Sequence, residues 1–162
     1  MTIKMKLTLE LNNLAKAPVK KGFFESIAKK TLEKSGYEFL NPLRRPADGG
    51  KKISLSLAIV KKAEIKKLNK TYREKNEVTD VLSFAEYKNI QKIKAAKDNP
   101  PAGGVFLGEV ILCYDDIKEY AWKNKLILKK ELAKVVSHGI LHLLGMRHGK
   151  KMFEIQNKVA SA

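Results

Sequence analysis

The chain is short of cysteine, of long apolar runs and of negative charge. Its 162 residues include one cysteine, Cys113, so no disulfide can form within it. That excludes a disulfide scaffold and fits a reducing compartment. No apolar run approaches the ~18 residues of a membrane span. The N-terminal residues Met1-Thr-Ile-Lys-Met-Lys6 alternate in polarity and lack the continuous apolar stretch of a signal peptide. The expectation is a soluble, cytoplasmic protein with no membrane partner. Seventeen acidic residues face 33 Lys and Arg, leaving a net charge of +16. A small domain with that excess attracts polyanions and loads onto nucleic acid at low salt. Much of the excess comes as spread lysine pairs, such as Lys29-Lys30 and Lys66-Lys67, which also suit a plain solvated surface.

The chain has enough apolar residues to fold. They make up 44% of it, a globular fraction that argues against disorder. A chain of this length suggests one domain, 1–162, and no linker divides it. Residues 3–11 alternate strictly and predict a strand with one buried face. Residues 19–35 predict a helix, with Phe24, Ala28 and Leu32 at helical spacing and Gly36 as its cap. Residues 41–52 hold two prolines and two glycines and read as a loop. A second alternating strand spans 53–60, a helix 62–75, a short strand 79–84 and a fourth strand 105–114. Residues 88–104 are rich in Lys, Asn, Pro and Gly, and read as a mobile surface segment with at most some helix. Asp115 and Asp116 suit the first turn of a further helix. Helices over about 128–145 and from about 150 complete the pattern. The predicted fold class is α/β (α+β), a four-stranded mixed sheet with packed helices in two or three layers.

All three histidines fall within eleven residues, His138 to His148, with the spacing H-x-x-x-H-x-x-G-x-x-H. Two residues four apart on a helix differ by about 40° around the axis, so His138 and His142 share a face. Gly145 then sits where the helix would end, and its left-handed freedom lets the chain return with His148. Apolar neighbours on nearly every side of this helix mean that it is buried. Two imidazoles there would each need a partner, and one metal ion serves both. Three imidazoles leave one tetrahedral position open, the layout of a catalytic zinc site. A closed structural site remains the alternative if Cys113 or a carboxylate supplied a fourth ligand. Zn2+, one ion, is the expected metal by ligand type. Zinc proteases of the H-E-x-x-H type place a glutamate after the first histidine. Here that residue is Gly139, which argues against peptide hydrolysis by that route.

A second polar segment runs from Asn69-Lys-Thr-Tyr72-Arg73 to Thr79-Asp-Val-Leu-Ser-Phe84. It is followed by Leu107-Gly108-Glu109-Val110-Ile111-Leu112 and then by the histidine block. In this order the motifs resemble those of the bacterial YbeY family of endoribonucleases, from about residue 53 to 148. The resemblance implies a zinc-dependent, single-strand-directed endoribonuclease. It would act in rRNA maturation, in processing the 3′ end of 16S rRNA and in ribosome quality control. It implies metal ligands His138, His142 and His148, and partners in single-stranded RNA, rRNA and the small ribosomal subunit or its proteins. The family's functional arginine falls on Arg73, where a guanidinium can fork onto two phosphate oxygens. Otherwise Arg73 would cap helix-end carbonyls or pair with Glu77. Asp80 suits either local backbone bonds or the orientation of a ligand histidine. The general base is Glu109, Asp80, Asp115 or none of them, the metal hydroxide then attacking directly. The family pattern has Asp where this chain has Arg147, Gly-Asp where it has Gly108-Glu109, and Pro where it has Ala85. Arg147 would disturb the metal site if it faces it, and add to the basic surface if it does not. The rival functions are a non-catalytic, metal-stabilised ribosome-assembly factor and a metallohydrolase of another substrate.

Overall fold

A computed structural model describes residues 6–41 and 52–161. Residues 3–5 of the predicted first strand and most of the predicted 41–52 loop lie outside these. Four strands form one sheet in the order β1-β2-β4-β3: β1 Leu7–Asn13, β2 Ile53–Ile59, β3 Val81–Ala85 and β4 Val105–Leu112. β1, β2 and β4 are parallel, and β3 runs antiparallel to β4 at the edge. Six α-helices and a short 3₁₀ turn, Glu38–Leu40, complete the described residues: α1 Lys21–Lys34, α2 Lys62–Arg73, α3 Ile90–Asp98, α4 Tyr114–Lys123, α5 Leu128–Leu143 and α6 Lys150–Ser161. The α+β fold with a four-stranded mixed sheet is the expected one. None of these helices is long and apolar enough to cross a membrane.

The sheet is covered on one face and, over β2 and β4, on the other. One face carries the main core, where Leu9, Leu55, Leu57, Leu107 and Val110 pack with α1 and α5 residues such as Phe24, Leu32, Val136 and Ile140. The other face carries a smaller core, in which Ala58, Val60, Ile111 and Cys113 meet Ile65 of α2. This explains β2. Its alternation predicts one buried face, yet Ser56 and Ala58 on the second face are also buried, because β2 is central and α2 lies over it. Ser56 is satisfied by Glu109, with Oγ and Oε2 3.2 Å apart.

Residues 90–98 form a full helix within the segment read as mobile. Its start is capped by the Asn89 side chain, which accepts from the Lys92 N–H at 3.0 Å. It is anchored by Ile93, which is fully buried in the main core. The low apolar content of the segment hides that single anchor.

The register between β2 and β4 shifts at a bulge, where Ser54 to Ser56 span Phe106 to Glu109. Gly108 takes up the extra residue with φ 134°, and a Cβ there would lie 2.2 Å from the Phe84 carbonyl oxygen. The shift decides that Val110 faces the main core and Glu109 the opposite side.

Candidate metal centre

α5 is the long buried helix of the main core and carries His138 and His142. It ends in a Schellman turn, with Gly145 N–H donating to the His142 carbonyl at 3.0 Å and Met146 N–H to that of Leu141 at 3.1 Å. Gly145 has φ +81°, as the sequence predicts. The reversal brings His148 back beside the other two. The three Nε2 atoms form a triangle with sides of 3.0, 3.1 and 3.1 Å.

The outer nitrogens explain why the inner ones converge. His142 Nδ1 lies 3.0 Å from the Met146 carbonyl oxygen, an acceptor only, so Nδ1 carries the proton. His138 Nδ1 lies 3.0 Å from Gln156 Oε1 of α6, with the same consequence. Both Nε2 lone pairs therefore face the middle of the triangle. Burial holds the His142 imidazole below its ordinary pKa, and His138, His148 and the Arg73 guanidinium push the same way. The neutral form favoured by these effects is the one that ligates metals. A tetrahedral ion with bonds of about 2.0–2.1 Å needs nitrogens about 3.3 Å apart, close to the observed spacing. Among the described residues this is a group that could hold a metal ion, and neither Cys113 nor a carboxylate belongs to it. Cys113 is buried in the core under α2 instead, where burial raises its thiol pKa.

One side of the triangle opens on a cleft of about 680 Å³. Arg73, Asn69, Asp80 and Ser83 line it with the three histidines. Arg73 is the last residue of α2, and its Nη2 donates to the Ser83 carbonyl at 3.1 Å. The carbonyl it caps is on β3 and not at a helix end, and this bond holds it in the cleft wall. Asn69 is only 3% exposed. Its side-chain amide donates to the Glu77 carbonyl at 3.0 Å, tying down the loop between α2 and β3. Tyr72 packs edge-on against Phe84, with centroids 5.1 Å apart. Asn69 and Tyr72 thus have structural roles, in tying α2 to the following loop and to β3.

The three candidate bases separate cleanly. Glu109 lies on the far sheet face against Ser56. Asp115 lines a separate groove with Trp122 and Leu126. Asp80 lines the histidine cleft. Its carboxylate accepts from the Thr79 hydroxyl at 3.4 Å, whereas His138 and His142 turn to Gln156 and Met146. Arg147 is exposed and adds to the basic surface. Gln156 escapes sequence reasoning, because it lies eighteen residues beyond His138 on a different helix.

The model of the family described as endoribonuclease YbeY matches residues 19–161. The chain belongs to the YbeY family. A YbeY endoribonuclease of Dehalococcoides mccartyi is 35% identical over 90% of this chain and 82% of its own length. That of Pelagibacter ubique is 37% identical over 80% of this chain and 72% of its own. That of a Picosynechococcus strain is 40% identical over 64% of this chain, a match spanning 59% of that relative. The solution structure of TM1509 from Thermotoga maritima matches with a TM-score of 0.58 at 26% identity. It covers 95% of this chain and 87% of that one. Within the YbeY frame, Gly139 has a structural reason. A Cβ there would fall 2.8 Å from Val110 Cγ1 and 3.2 Å from Ser83 Oγ, so glycine lets α5 lie directly on β3 and β4. The Ser83 hydroxyl donates to the Gly139 carbonyl at 2.9 Å across that contact.

Proposed function

We propose that this chain is a zinc-dependent endoribonuclease that cuts single-stranded RNA, with His138, His142 and His148 as the metal ligands. The observation that carries the reading is the histidine triangle opening on a cleft whose other wall bears Arg73. A divalent ion there supplies Lewis acidity toward a phosphate oxygen and acidifies water. The remaining work falls to the chain. Arg73 binds the phosphodiester, and its guanidinium stabilises the negative charge that grows on the phosphoryl oxygens. Asp80, which lines the cleft, accepts a proton at its carboxylate from water. The +16 surface draws RNA in, with affinity falling as salt rises. The substrate in the cell is rRNA, handled in the cytoplasm during small-subunit maturation, with ribosomal proteins as partners.

The test is cleavage of an end-labelled single-stranded RNA. Arg73→Ala should lose roughly 10²- to 10³-fold in rate, the scale for removing one such donor. Arg73→Lys should recover little, because an ammonium cannot reproduce the fork. Zinc content should stay unchanged in both. An Arg73→Ala protein as active as wild type would sink this role. Wild-type protein that binds zinc and RNA without cutting would favour the assembly-factor reading.

The hydrogen bond behind His138 gives a separate prediction. Gln156→Leu should weaken zinc binding about 10- to 100-fold while the protein stays folded, because that bond orients the imidazole. Competition with a chromophoric chelator reads the affinity, and an unchanged value would remove Gln156 from the site.

A further inference from the structure

Behind His138 lies a second cavity, of about 300 Å³, that shares His138, Asp80 and Val81 with the cleft. That volume is at the small end of ligand pockets and suits one ring system. Tyr120 and Phe153 line it from α4 and α6, and both are about half exposed. Asp116 faces it from the first turn of α4. Glu131 is buried in its lining and paired with Lys134 at 3.2 Å.

The charge of this cavity decides what it takes. Three carboxylates and one lysine line it, in a chain whose net charge is +16. A phosphate would be repelled there. A flat group with hydrogen-bond donors on its edge would not. Exposed aromatic side chains are the usual platforms for unstacked bases. A carboxylate accepts two parallel N–H bonds, and guanine presents two adjacent donors, N1–H and the N2 amino group, on its Watson–Crick edge. Uracil presents one donor, between two carbonyls.

We propose that this cavity is a guanine subsite, holding the base next to the cleaved phosphodiester, with Asp116 accepting from the base edge and Tyr120 and Phe153 stacking on its face. The placement rests on the ribonuclease reading, because His138 and Asp80 line both cavities and so set this one directly beside the cleft. Desolvation and the neighbouring Asp80 raise the Asp116 pKa, and Lys62 and Lys123 pull it the other way. Gln156 adds specificity: its Oε1 is engaged by His138, which leaves its NH2 group to donate to the O6 of guanine.

The experiment uses zinc-loaded full-length protein and single-stranded RNAs of uridine carrying one internal guanosine, with matched RNAs carrying adenosine or cytidine. Wild type should cut beside the guanosine at least tenfold faster than at other positions. Asp116→Asn should erase that preference, bringing cutting beside the guanosine down to the rate at other positions. Tyr120→Ala, at an exposed position, should weaken the preference by itself, which guards against Asp116→Asn acting through the fold. Binding of GMP and UMP, followed by NMR on the tyrosine and phenylalanine rings, is independent of cleavage. GMP binding that Asp116→Asn abolishes, in a protein that cuts nothing, would keep the subsite and overturn the ribonuclease reading. Cutting without guanosine preference, or a preference that survives Asp116→Asn, overturns the subsite. A second zinc per chain that Asp116→Asn removes, without base preference, overturns it in favour of a cation.

Discussion

His142→Ala should lower bound zinc from one ion per chain to almost none and take RNA cleavage to background. His142 is held from both sides of its ring. It lies on the buried helix, its outer nitrogen is held by the Met146 carbonyl, and its Nε2 is 3.0 and 3.1 Å from the other two. If about 10–16 kcal/mol of zinc binding is shared among four ligands, losing one costs roughly 3–4 kcal/mol, or two to three orders of magnitude in affinity. The fold should survive, because the rest of α5 keeps Val136, Ile140 and Leu141 in the core. Metal analysis after gel filtration and the end-labelled RNA assay measure the two effects together. Cleavage that persists in His142→Ala would identify a contaminating nuclease and remove the support for the enzyme.

Gly139→Glu should produce an unfolded or grossly destabilised protein, not a peptidase. The substitution recreates the H-E-x-x-H spacing, so sequence alone would suggest a gain of function. The structure points the other way. The first atom of the new side chain would lie 2.8 Å from Val110 Cγ1, and the rest would enter the packing between α5 and the sheet. Overpacking of this kind costs about 1–3 kcal/mol, and burying a carboxylate without a partner adds several more. Gly139→Ala separates the two contributions. A helical alanine gains about 1 kcal/mol over glycine, and the overlap with Val110 should outweigh it, leaving a net loss of up to about 2 kcal/mol. Urea denaturation followed by circular dichroism reads both. An alanine variant more stable than wild type would show that α5 can lift off β3 without cost.

Periodicity and spacing carry far in this chain because they are local. The H-x-x-x-H-x-x-G-x-x-H run encodes its own geometry: helical pitch aligns two imidazoles, and the left-handed glycine returns the third. The strands at 53–59 and 105–112 and the helix carrying Asp115 and Asp116 are legible from alternation and end signals. The helix at 90–98 is not, because one buried side chain, Ile93, and one cap hold it.

The sequence by itself determined the family, the histidine triad and the basic surface, since each lies in a contiguous pattern or in composition. Only the tertiary structure decided which polar residues share the site. Glu109 and Asp80 look equivalent in one dimension. A one-residue bulge at Gly108 leaves Glu109 facing away from the histidines, while the turn into β3 leaves Asp80 beside them. Gln156 reaches His138 only because α6 packs against α5, and Arg73 joins the cleft because α2 ends where its guanidinium meets the Ser83 carbonyl of β3. Such contacts depend on register and packing between distant segments, which local residue patterns do not encode.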